Sequence, residues 1–151
     1  MSYALITGGS KGIGKEIALL LAQKNLNLIL VARSVDELSL SKKEIEEKYQ
    51  VNVDIIAADL SVEGEVDKVI NFIVNKNIPL SILVNNAGYG LWGFFDKLDY
   101  EAQQAMMNVN ITALVKLTHK CLSLLKKQSK AYILNVASTA AYQAVPALSV
   151  Y

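Results

Sequence analysis

The chain predicts an α/β fold: a parallel sheet covered by helices on both faces, doubly wound. Three observations point there. Short, β-branched apolar runs alternate in a regular rhythm with longer stretches of helical period. The runs are apolar nearly throughout instead of at every second residue, as in strands buried on both faces. The first run leads at once into a glycine turn and a helix start, Thr7-Gly8-Gly9-Ser10-Lys11-Gly12-Ile13-Gly14.

The elements follow in order. Tyr3–Thr7 reads as the first strand and Ile13–Gln23 as the first helix. The glycines between them supply positive φ and leave no Cβ to keep an anion from the backbone. Free N–H groups and the positive dipole end of the helix would then face that anion. Leu26–Ala32 is the second strand, Val35–Tyr49 the second helix, Val51–Ala57 the third strand and Val62–Asn75 the third helix. Leu80–Asn85 forms the fourth strand, and the strongest loop, Gly88-Tyr89-Gly90-Leu91-Trp92-Gly93, comes after it. A long helix over Tyr100–Gln128 leads to a fifth strand, Ala131–Val136. Its apolar residues, among them Met106, Ile111, Val115, Leu117, Cys121, Leu122 and Leu125, wrap more than one face, which predicts cover on several sides. Further sequence or a partner subunit would supply the second cover. Right-handed crossovers place ligands outside the strand C-termini, where the strand order reverses.

Bulk properties narrow the function. The 151 residues suffice for one domain with a proper core. A net charge of +1 offers nothing to nucleic acid or to an anionic membrane surface. No apolar stretch approaches the ~20 residues of a membrane span, and the N-terminus lacks the charged start and apolar core of a signal peptide. Cys121 is the sole cysteine, which excludes a disulfide framework and metal-ligand spacing. A cytoplasmic protein without a bound metal is expected.

Thr7-Gly8-x-x-x-Gly12-x-Gly14, Asp59-Leu60, Asn85-Asn86-Ala87-Gly88, Asn110, Ser138 and Tyr151 occur in an order and spacing that resembles the short-chain dehydrogenase/reductase family. The resemblance runs from residue 3 to the last residue. It implies a Rossmann-type doubly wound sheet of about five strands in the order 3-2-1-4-5, truncated after the fifth. Residues 1–151 would be a single NAD(P)-binding domain, incomplete at its C-terminus. Hydride transfer between NAD(P) and a small carbonyl compound or secondary alcohol is the implied chemistry. The implied cofactor-binding residues are Gly8, Ser10, Lys11, Gly12, Ile13 and Gly14 in the turn, then Arg33, Asp59, Leu60, Asn86, Ala87 and Gly88.

Arg33, the only arginine, follows Ala32 at the end of the second strand. A free ribose 2′-hydroxyl calls for a carboxylate there and a 2′-phosphate for a cation. Alanine removes the acid, and a guanidinium can hold the phosphate bidentately. Lys11 adds a second nearby cation, so NADP(H) is expected over NAD(H); a solvated surface role is the usual alternative for an arginine. Asp59 resembles the aspartate that contacts adenine, although an acid there also caps the next helix. The asparagine pair before Gly88 would steady the sheet and line the nicotinamide side, or simply make a turn.

Asn110 lies within a helix that is apolar around it, where asparagine is a poor fit because its amide competes with the backbone. A residue that breaks the local rule marks a functional position. By resemblance Asn110, Ser138 and Tyr151 are catalytic: a water anchor, a hydrogen bond to the substrate oxygen and the general acid/base. Asn108 is expected to be structural and His119 to lie on a surface or interface. Trp92, Phe94 and Phe95 are assigned either to a substrate pocket or to the core.

The family's tyrosine is followed one helical turn later by a lysine, which lies outside this chain. The expectation is an NADP-dependent oxidoreductase whose 151-residue chain is itself inactive; the alternative is a non-catalytic nucleotide-binding or interaction module. A homo-oligomer is expected, because the apolar fifth strand would be an open edge.

Overall fold

The computed structural model describes all of residues 1–151. Its element order is β1 (Tyr3–Thr7), α1 (Gly12–Gln23), β2 (Asn27–Ala32), α2 (Val35–Lys48), β3 (Val53–Ala57), α3 (Glu65–Asn75), β4 (Leu80–Asn85), α4 (Tyr100–Met107), α5 (Leu114–Leu125) and β5 (Tyr132–Asn135). The strands form one parallel sheet in the order β3-β2-β1-β4-β5, as the sequence predicts. The chain winds outward from β1 to β3, then returns across β1 to add β4 and β5. The order therefore reverses between β1 and β4.

Side chains that alternate along each strand divide the core in two. Leu5, Ile29, Val31, Ile56 and Leu83 face α3 and α5, meeting Val69, Ile73, Leu117 and Cys121. Ala4, Ile6, Leu28, Leu30 and Val84 face α1 and α2, meeting Ala18, Ala22, Leu38 and Ile45. Each fully buried Leu or Ile among them contributes about 1.5–3 kcal/mol. No helix is long and apolar enough to cross a membrane.

Several boundaries differ from the sequence reading for local reasons. β2 starts at Asn27, not Leu26, because Leu26 closes α1: its N–H donates to Leu21 O while Asn25, at φ 60°, donates to Ala22 O. That is a Schellman ending with asparagine in the left-handed position. Asn77 at φ 51° ends α3 in the same way, with Ile78 N donating to Ile73 O. α3 begins at Glu65, not Val62, since a turn from Asp59 O to Val62 N and the left-handed Gly64 come first.

The predicted long helix is not uniform. Asn108–Ala113 forms a π-helical segment between α4 and α5. Such a wide turn holds an extra residue and is characteristic of functional positions. Burial is also narrower than predicted: Ala113, Leu117, Cys121 and Leu125 make one buried stripe, whereas Ile111, Val115 and Leu122 are exposed. β5 is exposed along its whole length.

Candidate functional site

At the C-terminal ends of the strands lies a cleft of about 1010 Å³ that spans the β1–β4 reversal. Its floor is tied by Thr7, buried at the end of β1. Thr7 Oγ1 donates to Val84 O and accepts from Asn86 N and Ala87 N, at 3.0 Å each. Asn86 Nδ2 donates back to Thr7 O and Gly8 O. Asn85, buried beside it, donates to Thr118 Oγ1 on α5 and Asn135 Oδ1 on β5. The asparagine pair thus links β1, β4, β5 and α5, and the Asn85 Oδ1 atom is buried without a partner.

The glycine turn opens one end of the cleft. Gly8, Ser10, Lys11 and Ile13 line it, while Gly12 and Gly14 do not. Gly12 takes φ +56°, and Gly14 lets α1 approach the turn so closely that a Cβ would collide with the Gly8 carbonyl oxygen. The N-terminus of α1 is open: Lys11 makes no side-chain cap and no acid lies in the first turn. By contrast, Ser34 caps α2 and Asp99 caps α4, and acids occupy the first turns of α2, α3 and α4. Uncapped N–H groups facing a cleft are an anion-binding arrangement.

Beyond the end of β2, Arg33 lines the cleft, exposed and without an ion pair. Asp59 and Leu60 line the neighbouring wall. Asp59 Oδ1 accepts from Ser61 Oγ at 2.7 Å and Ser61 N at 3.0 Å, so Asp59 does organise the turn before α3. Those two bonds, helped by the charge of Arg33, hold its carboxyl below the ordinary range.

Sequence reading missed Glu37. No acid ends β2, yet a carboxylate reaches the same corner from α2: Glu37 Oε1 pairs with Lys11 Nζ at 3.0 Å and Oε2 accepts from Ser10 Oγ at 3.0 Å. The expectation of a corner free of acid is corrected, and Lys11 is not a free cation. Hydrogen bonds from Lys11 and Ser10 hold the Glu37 carboxyl below its usual value. Ser34-Val35-Asp36-Glu37 carries the Ser-x-x-Glu pattern of a helix start, which marks a local cap and not this contact.

The other end of the cleft gathers Ala87, Gly88, Asn110, Ser138 and Tyr151. Asn110 sits in the π-helical segment, and its amide grips one residue: Oδ1 accepts from Tyr89 N at 3.1 Å and Nδ2 donates to Tyr89 O at 2.9 Å. Gly88 lies against it, with space for a Cβ only 3.2 Å from Asn110 Oδ1. Ser138 Oγ accepts from Ala140 N at 3.2 Å, and its O–H remains available to donate. The Tyr151 ring packs beside Gly90. Asn108 holds Ser61 O and Gln104, a structural position, and His119 is exposed. Trp92, Phe94 and Phe95 are exposed, which rules out the core role, and they do not line this cleft.

A family model described as short chain dehydrogenase matches residues 2–151. The chain belongs to the short-chain dehydrogenase family. It is 35% identical over 153 residues to the very-long-chain 3-oxoacyl-CoA reductase of Macaca fascicularis, covering 99% of this chain and 48% of that protein. Among solved structures it resembles the bulky-bulky ketone specific alcohol dehydrogenase of Comamonas testosteroni, with a TM-score of 0.92, 28% identity and coverage of 100% of this chain and 60% of that one. L-sorbose reductase of Gluconobacter frateurii, solved with NADPH and L-sorbose, gives a TM-score of 0.92 at 30% identity, covering 99% and 57%. This short-chain dehydrogenase sequence spans about half the length of the curated relatives it matches.

Proposed function

We propose that the cleft binds NADP(H) in preference to NAD(H) and, within the whole protein, serves carbonyl–alcohol redox chemistry on a small molecule. The observation that carries this is the open N-terminus of α1, which shares one cleft with the unpaired Arg33 and with Asn110, Ser138 and Tyr151. The residues fit the cofactor: a pyrophosphate would meet uncapped N–H groups at Gly12–Gly14, and a 2′-phosphate would meet the Arg33 guanidinium. Adenine would lie by Asp59 and Leu60, and the nicotinamide beside Asn86, Ala87 and Gly88. That the L-sorbose reductase structure holds NADPH supports the same reading.

When bound, the cofactor supplies or accepts the hydride. The chain's own residues do the rest. Ser138 Oγ–H hydrogen-bonds the substrate oxygen, and Tyr151 Oη–H gives its proton to that oxygen as negative charge develops on it. Asn110 is a positioning residue: through both amide atoms it fixes the Tyr89 main chain, which frames this end of the cleft. A homo-oligomer belongs to the same reading, supported by the exposed apolar residues Ile111, Val115 and Leu122 on one side of the long helix.

Charge-assisted bonds to the 2′-phosphate of about 1.5–3 kcal/mol give NADPH a preference of about ten- to a hundredfold over NADH. Calorimetric titration of both cofactors, with Arg33→Ala beside the unaltered chain, tests this. Equal affinities, or a preference that the substitution leaves in place, would remove the assignment of Arg33.

A further inference from the structure

We propose that Glu37 is a specificity-determining residue whose carboxylate competes with the cofactor's 2′-phosphate for Lys11 and Ser10 and so limits the NADP(H) preference that Arg33 creates. The inference rests on the NADP(H) reading of the cleft.

The first support is the direction of the side chain. Ser34 and Glu37 have the spacing of a reciprocal helix cap, and half of it forms: Glu37 N donates to Ser34 Oγ at 3.2 Å. In a complete capping box the glutamate would turn back to the Ser34 N–H. Here both carboxylate oxygens point across to the glycine turn instead, one on Ser10 Oγ and one on Lys11 Nζ. The helix gives up a local bond so that an acid can stand over the phosphate-binding turn.

The second support is the charge in this corner. Lys11 and Arg33 are its cations, Glu37 and Asp59 its anions, and all four line the cleft. Asp59 is already engaged by Ser61, so Glu37 is the acid that holds Lys11. A 2′-phosphate arriving beside Arg33 meets a like charge and finds Lys11 occupied. A 2′-hydroxyl meets only a hydrogen-bond acceptor.

A purely mechanical role does not account for the contact. Ser41 Oγ donates to Ser10 O at 2.7 Å, both residues being buried, so the turn is already fastened to α2 without Glu37.

The test is calorimetric titration of the full chain and of Glu37→Gln with adenosine 2′,5′-bisphosphate and with 5′-AMP, in one buffer at fixed salt. The Lys11→Met chain is titrated with and without Glu37→Gln. Removing the acid should tighten the bisphosphate about two- to fivefold, the scale of a partly exposed charge pair, with 5′-AMP unchanged or slightly weakened. In the Lys11→Met background the gain should shrink. A parallel change for both nucleotides, or looser bisphosphate binding, would show that Glu37 only fastens the turn. Discrimination by the unaltered chain that ignores Glu37 sinks this inference alone. Failure of both chains to bind either nucleotide while remaining folded sinks the cofactor reading itself.

Discussion

A single methyl group at Gly14 sets two effects against each other. Gly14 lies in the first turns of α1, where alanine in place of glycine ordinarily stabilises a helix by about 0.5–1 kcal/mol. A Cβ there would overlap the Gly8 carbonyl oxygen and stand 2.5 Å from Asn86 Nδ2. The oxygen is backbone and cannot rotate aside, so α1 and the turn must separate. Overpacking of this kind costs about 1–3 kcal/mol. The displaced Asn86 amide also loses its bonds to Thr7 O and Gly8 O, each about 0.5–1.5 kcal/mol. The clash wins: Gly14→Ala should lose about 1–5 kcal/mol once the helix gain is set against these losses. Gly12→Ala is the control, because its site is open and only the positive φ is strained, at about 1–2 kcal/mol. Urea unfolding followed by circular dichroism measures all three chains. A Gly14→Ala chain as stable as the parent would refute the close approach of α1, the turn and Asn86.

Two other outcomes follow. Thr7→Val deletes the oxygen that receives Asn86 N and Ala87 N, and leaving those donors without it should cost about 1–3 kcal/mol in the same unfolding measurement. The depressed Asp59 carboxyl stabilises the folded chain fully above its ordinary value of 3.8; below that the unfolded state binds the proton first, and stability falls until pH passes the lower folded value. Asp59→Asn should therefore flatten the acid limb of stability against pH, and an unchanged limb would mean that the Ser61 bonds do not form.

The alternation of apolar strands with helical stretches was legible because buried parallel strands admit little but apolar side chains. Strand order was implied by the family resemblance, and Gly8, Arg33, Asn110, Ser138 and Tyr151 all reach one cleft. What escaped the sequence depended on tertiary contacts. Glu37 carries the pattern of a local cap, and only the approach of α2 to the glycine turn diverts its carboxylate. The π-helical segment at Asn108–Ala113 interrupts a pattern that periodicity reads as one continuous helix. Gly14 also has a packing role that the motif does not reveal, since a Cβ there would meet the Gly8 carbonyl oxygen. The aromatic residues after Gly90 carry no periodic signal, and their exposure could not be read from composition.

The most direct measurement is the crystal structure of this chain grown with NADPH. The pyrophosphate should lie at the α1 N-terminus, the 2′-phosphate on Arg33, and the nicotinamide between Gly88 and the Asn110, Ser138 and Tyr151 end of the cleft. A nucleotide bound elsewhere, or one whose 2′-phosphate turns away from Arg33, would contradict this placement.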